Sequence, residues 1–254
     1  LRTLIIGDVV GKPGRKTVTA LLPELRKELA CDFVIANGEN IAGGAGLTPP
    51  TAQELLDAGV DVITTGNHVW AQKDILPVLD TDFPIIRPAN YPPGAPGRGF
   101  IVTSRAIVIN LLGRTFIGNY DCPFRVADQI IKQLSNHRLP IFVDFHAEAT
   151  SEKVALGRYL DGRVSAVVGT HTHVGTIDTQ LFPGGTAYVT DLGMVGPMNS
   201  VIGNEVESVI QSFLTRLPHR ISIGDGRNTF NAVLVETSPD GRATRIERIV
   251  REID

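Results

Sequence analysis

TLIIGDVVGKPGRKTVTALLPELRKELACDFVIANGEN, residues 3–40, holds two short apolar runs with a helical stretch between them. The runs TLIIG and FVIAN are near-continuously apolar, which is how strands buried on both faces of a parallel sheet read. Between them the pattern predicts a helix from about Lys16 to Ala30, kinked or begun afresh at Pro23. Thr48 and Pro49 give an N-cap and first-turn signal for a helix ending near Gly59, after which DVITTG reads as a third strand. The chain therefore opens as βαβαβ.

Working outward, a helix from about Gln72 to Leu79 precedes PIIRP, and a Pro/Gly-dense loop, RPANYPPGAPGRG, interrupts the alternation. Strand-like runs resume in FIVTSRAIVINLLGRTFIG with the spacing of hairpins. A second alternating block follows: a helix from about Phe124 to Ser135, the strand IFVDFH, a helix from about Glu152 to Leu160 stopped by Gly162, and the strand SAVVG. The tail reads as IDTQLF-PGG-TAYVTD, a helix from about Asn204 to Leu217, and NAVLVET-SPDG-RATRIERIV, with PGG and PDG as hairpin turns. Two βαβ-type blocks separated by antiparallel hairpins predict an α/β fold, two mixed β-sheets packed as a sandwich with flanking helices. No Gly/Ser-rich or charge-rich linker divides residues 1–254, which read as one domain.

Hydrophobic residues make up 43% and charged residues 20%, enough for a sizeable core. The formal net charge is -3 with no long basic run, so duplex nucleic acid is not an expected partner. Two cysteines, Cys31 and Cys122, and the lack of a secretory pattern at the start of the chain predict a reducing, cytoplasmic setting. The apolar runs are far shorter than the roughly 18 to 20 residues that cross a bilayer, so no membrane association is expected. For size alone a homo-oligomer is an ordinary expectation.

Five apolar runs end in residues able to bind a metal: LIIGD at Asp8, FVIANGEN at Glu39 and Asn40, VITTGN at Asn67, IFVDFH at His146, and AVVGTHTH at His171 and His173. Open α/β sheets place ligands beyond the carboxyl ends of their strands, so these ends can converge on one polynuclear site. His171 and His173, two apart, share one face if the backbone is extended, with their bases about 6.8 Å apart. Each residue alone has an ordinary explanation: Asp8 as a cap or turn former, Glu39 as a loop carboxylate, the histidines as hydrogen-bonded strand ends. Asp8 fits the cap explanation poorly if the next helix starts several residues later. Glu39 is the bridging candidate, because a carboxylate can share its two oxygens between cations. Asn67 offers a neutral oxygen, and adjacent His68 can stay free of metal as a general acid. Glu148 and Lys153 lie near His146 in sequence. Four of the six histidines fall at strand ends, and independent ordinary explanations would have to coincide five times.

The ordered series Asp8, Glu39, Asn67-His68, His146 and His171-x-His173 resembles the calcineurin-like metallophosphoesterases. The likeness extends over nearly the whole chain to the YmdB-like bacterial phosphodiesterase branch, through GDVVGKPGR, NGENIAGGAGLT, TTGNHVW, RPANYP, DFHAEATSEK, GTHTH and TDLGMVGP. Val10, Glu39 and Val69 depart from the broad superfamily pattern. The branch shares these changes, with Asn40 replacing the ligand lost at Val10.

The resemblance implies a four-layer α/β/β/α fold and a dinuclear metal centre. Asp8, Glu39, Asn40 and His173 would hold one ion, and Glu39, Asn67, His146 and His171 the other. It implies a metal-dependent phosphodiesterase acting on small phosphodiesters, including 2',3'- or 3',5'-cyclic nucleotides, by attack of a metal-bridging hydroxide with His68 as general acid. The mixed ligand set suits Fe or Mn, with Zn or Mg as further options. Arg87 and Asn90, or Tyr120 and the EATSEK loop, are candidates to line the pocket. A regulatory metal- or nucleotide-binding protein, a broad phosphomonoesterase and a metal-dependent amidohydrolase use similar residues. His68 argues for catalysis over binding alone, and the GNH block argues against the amidohydrolase.

Overall fold

The computed structural model describes residues 1–254. Its strands are β1 (Arg2–Val10), β2 (Phe33–Asn40), β3 (Val62–Thr64), β4 (Phe100–Val102), β5 (Ile107–Leu112), β6 (Ile141–His146), β7 (Ala166–Thr170), β8 (Gln180–Leu181), β9 (Ala187–Val189), β10 (Met194–Pro197), β11 (Asn228–Thr237) and β12 (Ala243–Ile253). Its α-helices are α1 (Gly11–Glu28), α2 (Pro49–Asp57), α3 (Leu76–Leu79), α4 (Pro123–Gln133), α5 (Thr150–Tyr159) and α6 (Val206–Thr215). One sheet runs β12-β11-β10-β1-β2-β3 and the other β4-β5-β6-β7-β9-β8, both mixed. No helix is long and apolar enough to cross a membrane.

Side chains alternate across a strand, and that period builds three apolar layers. Leu4, Ile6, Val34 and Ala36 face Val18, Leu22 and Leu55 of α1 and α2 on the outside of the first sheet. Ile109, Val143, Phe145 and Val167 face Ala127, Ile130 and Leu156 of α4 and α5 on the outside of the second. Between the sheets, Ile5, Phe33, Ile35 and Val62 meet Val108, Phe142, Ala166 and Val168. The result is the expected α/β/β/α sandwich.

The same alternation carries the inner layer from apolar to polar. Phe33 and Ile35 share a face with Asn37 and Glu39, Phe142 with Asp144 and His146, and Val168 with Thr170. Toward the carboxyl ends of the parallel strands the space between the sheets therefore fills with hydrogen-bonding groups. By parity alone Asp8 would follow Leu4 and Ile6 toward the helices. Register shifts on both sides of it, between Ile6 and Asp8 and between Asp8 and Val10, re-aim it into this layer.

Several elements differ from the sequence expectations. Helix α1 begins at Gly11, directly after β1, instead of near Lys16, and Pro23 lies inside it. Gly14 makes that early start possible, since a Cβ there would lie 2.4 Å from the Val195 carbonyl oxygen. Asp8 makes no cap bond; the residue preceding the helix is Val10. Residues 73–79 form a 3-10 turn followed by the short α3, and PIIRP contributes only an isolated bridge from Ile85 to Ile63. Strand β10 is absent from the sequence expectations: MVGP pairs in parallel with β1, Asp8 opposite Met194.

Candidate metal centre

All eight sequence-selected residues meet at the carboxyl ends of β1, β2, β6 and β7 and in the loop after β3. Asp8, Glu39, Asn40 and His146 are buried. The most crowded point is His146 Nε2, which lies 3.0 Å from His171 Nδ1, 3.1 Å from Glu39 Oε1 and 3.2 Å from Asn67 Oδ1. Glu39, His146 and His171 form a group able to hold a metal ion. The second half of the cluster surrounds His173 Nε2, which sits 3.2 Å from Asn40 Nδ2 and 3.7 Å from Asp8 Oδ1. Asn40 also links back to Glu39 Oε1 at 3.2 Å.

Hydrogen bonds on the far side of each ring fix which nitrogen faces the cluster. Thr170 gives its hydroxyl proton to Asp144 Oδ1 at 2.6 Å, so His146 Nδ1, 2.9 Å away, must donate to Thr170 Oγ1. His171 Nε2 faces Glu148 Oε2 at 3.2 Å, and His173 Nδ1 donates to the Ile202 carbonyl at 2.8 Å. All three rings thus turn a lone pair inward, the arrangement by which outer partners orient metal-binding histidines.

Lone pairs of His146 and His171 facing each other at 3.0 Å repel unless a proton or a cation lies between them. The charge state of the metal-free site fits a single proton there. Burial opposes the charged form of His146, but Glu39 and Asp8 outweigh it and raise its pKa to about 9. Burial and the neighbouring His146 push His171 down to about 3. Burial also acts against the Glu39 carboxylate, yet His146 and His68 hold it well below the usual range. Asp8 is raised to about 6 by burial, in spite of His173 and His146. Its Oδ1 is a buried oxygen with no hydrogen-bond partner. An orphaned carboxylate oxygen beside an inward-facing imidazole suits a cation. Gly66 keeps the space open, because a Cβ there would lie 2.3 Å from Glu39 Oε2 and 2.4 Å from His146 Nε2.

His68 stands at the edge of the cluster. Its Nδ1 lies 3.0 Å from Asn40 Oδ1 and 3.3 Å from Glu39 Oε1, its side chain is 45% exposed, and its backbone N–H donates to Glu39 Oε2. The hydrogen bond it donates to the Glu39 carboxylate raises its pKa.

One sequence expectation fails. His171 and His173 are not on extended backbone: β7 ends at Thr170, and they have φ of 98° and 64°, values few non-glycine residues adopt. Arg87 and Asn90 make no hydrogen bond to the cluster, and Arg87 lines a separate cavity with Asp121 and Gln133. The buried Arg87 guanidinium donates to the carbonyls of Pro88, Ala95 and Pro96, and the Asn90 side chain is taken up by Leu112 and Asp121. Tyr120 packs edge-on against Tyr91, which packs in turn against Trp70 beside the GNH turn.

The supporting layer of Asn37, Asp144 and Thr170 is missing from the residues selected by sequence. Asp144 accepts from Thr170, Thr64 and Asn37. Its signal was a polar residue at an inward-facing position of an otherwise apolar strand.

Comparison with known proteins agrees with this architecture. The Bacillus subtilis (strain 168) 2',3'-cyclic-nucleotide 2'-phosphodiesterase is 46% identical over 98% of this chain and 97% of its own. A hypothetical protein from Thermus thermophilus superposes with a TM-score of 0.93 at 43% identity, covering 99% of both chains. A phosphatase from Mycoplasma pneumoniae gives a TM-score of 0.93 at 34% identity, covering 99% of this chain and 93% of its own. The profile described as YmdB-like protein matches residues 4–249, and the chain belongs to that family.

Proposed function

We propose that this protein is a dinuclear metal-dependent phosphodiesterase whose substrates include 2',3'-cyclic nucleotides. The observation that carries the metal reading is the inward-facing pair His146 Nε2 and His171 Nδ1 with Glu39 Oε1 and Asn67 Oδ1 around it. These donors lie 3.0 to 3.2 Å from His146 Nε2. Donors bonded to one ion at about 2.1 Å with octahedral angles lie roughly 3 Å apart. Asp8, Asn40 and His173 would hold a second ion, with Glu39 shared. Asn40 now turns Nδ2 toward His173 and Oδ1 toward His68; presenting oxygen to a cation requires rotating that amide by half a turn. Imidazole, carboxylate and carboxamide donors suit Mn or Fe.

When bound, such ions neutralise charge on the phosphoryl oxygens and acidify a water for attack on phosphorus. The protein's own residues do the rest. Glu39 accepts from His68 Nδ1, leaving Nε2 to face substrate. Water adds to phosphorus and gives up one proton to solvent, the bond to a ribose oxygen breaks, and the His68 Nε2 proton passes to that departing oxygen, His68 regaining a proton from solvent. The burial of Asp8, Glu39 and His146 keeps bulk water from competing for their charges. The substrate class rests on the Bacillus relative, which is a 2',3'-cyclic-nucleotide enzyme by name.

Assay of the Mn-loaded protein on 2',3'-cyclic AMP, bis-(p-nitrophenyl) phosphate and p-nitrophenyl phosphate tests this reading. Diester turnover should exceed monoester turnover. His68→Ala should lower kcat by about 10²- to 10⁴-fold with the ion count unchanged. Metal-replete protein without diester turnover, or turnover untouched by both His68→Ala and Glu39→Gln, contradicts it.

A further inference from the structure

Behind the cluster lies a second buried charged group that the proposed chemistry does not use. Asp191, in the loop between β9 and β10, and Lys153 of α5 form an ion pair at 2.7 Å with both side chains only 1% exposed. Burying two charges is costly, so such a pair commonly orders what surrounds it through further hydrogen bonds.

Asp191 has those further bonds, and they lead to the ligands. Its Oδ2 accepts from Thr172 Oγ1 at 2.8 Å and from Thr172 N at 3.2 Å, so it grips the residue between His171 and His173 by both side chain and backbone. Its Oδ1 accepts from Gly193 N at 2.8 Å, and the Gly193 carbonyl accepts from Asp8 N at 3.1 Å. Lys153 arrives from the helix that follows the His146 strand. Gly169 lets it pass, since a Cβ there would already be 3.0 Å from Lys153 Cδ. One carboxylate thus connects the segments carrying Asp8, His146, His171 and His173.

The turn it grips is the one that needs holding. Two non-glycine residues with positive φ, at 98° and 64°, persist only where their surroundings over-determine them. The grip on Thr172 lies midway between them. Other bonds at this turn are His171 N to Asp8 Oδ2 at 3.1 Å and His173 Nδ1 to the Ile202 carbonyl at 2.8 Å, each acting at one end.

We infer that Asp191, neutralised by Lys153, is a positioning residue for the metal centre: through Thr172 it holds the His171–His173 turn in its ligand-presenting shape, and through Gly193 it locates Asp8. This rests on the metal reading given above.

Asp191→Asn would set an amide N–H against Gly193 N or against the three donors at Oδ2, and because the residue is fully buried it tests folding together with positioning. Thr172→Val isolates the positioning, removing one hydroxyl and keeping the shape, and Thr172→Ser restores that hydroxyl. The measurements are calorimetric titration of metal-free protein with Mn, ion count by mass spectrometry, and melting of the metal-free protein. Thr172→Val should weaken at least one of the two ions about 10- to 100-fold, the usual effect of losing an outer partner, while the metal-free melting temperature stays near wild type. Thr172→Ser should return the affinity to within about threefold of wild type. Wild-type affinity in Thr172→Val, or equal weakening in the Val and Ser variants, overturns the inference alone. A wild-type protein that takes up no ion overturns the metal reading and the inference with it.

Discussion

Gly66→Ala should separate the metal centre from the fold. A Cβ at this position would lie 2.3 Å from Glu39 Oε2 and from His146 Cδ2, and 2.4 Å from His146 Nε2, where ordinary contacts begin at 3.4 Å. Glu39 and His146 must therefore both move by roughly 1 Å, and a misplacement of that size costs about 10²-fold in rate. Folding should suffer much less. Overpacking costs about 1–3 kcal/mol. Gly66 is outside the left-handed region, so alanine recovers about 0.4–1 kcal/mol from the unfolded chain. The net loss is at most about 2.6 kcal/mol, which lowers the melting temperature of a chain this size by several degrees. The assay is a melt of the metal-free protein, a Mn titration and diester turnover on one preparation. Retention of wild-type Mn affinity and kcat would mean that Glu39 and His146 do not share an ion, because the clash is with those two groups.

Metal binding should strengthen with pH. The His146 proton, held to about 9 mainly by Glu39 against the effect of burial, must leave before Nε2 can bind an ion. Below pH 9 the apparent affinity should therefore rise up to about tenfold per pH unit, and the loss should steepen below about 6, where Asp8 gains its proton. A pH-independent Mn affinity between pH 6 and 8 would contradict the charge states described. Thr170→Val leaves His146 Nδ1–H without its buried acceptor and takes from Asp144 one of its three side-chain donors, Thr64 and Asn37 remaining. It should cost about 1–3 kcal/mol in chemical denaturation and weaken Mn about 10- to 100-fold. Wild-type values in both experiments would remove Thr170 from the supporting layer.

How far the sequence revealed this site depends on the range of the interactions involved. Glu39, His146 and the βαβαβ opening were legible because strand burial and strand-end placement are local properties of short apolar runs. The inward aim of Asp8 was not, since it comes from a bulge where β1 meets β2. The bent backbone at His171 and His173 was equally hidden. It is held by Asp191, Asp8 and Ile202, all remote in sequence, whereas local pattern suggested continued strand. The start of α1 was misplaced because GKPG reads as a turn, yet Gly11 and Gly14 are the residues that let the helix lie against Ile223 and Val195. Strand β10 escaped notice because only four residues form it and its partner, β1, is nearly two hundred positions away. Arg87 and Asn90 looked functional as polar residues in a Pro/Gly-dense loop. Their role is to satisfy that loop's own carbonyls and those of Leu112 and Asp121.

Anomalous scattering from crystals grown with Mn shows directly whether the cluster holds two ions. Two Mn peaks are expected roughly 3.5 to 4 Å apart, with the Glu39 carboxylate between them. One ion should lie against Asn67, His146 and His171, and the other against Asp8, Asn40 and His173. A single ion at the first group, or no ion at either, would contradict the dinuclear centre.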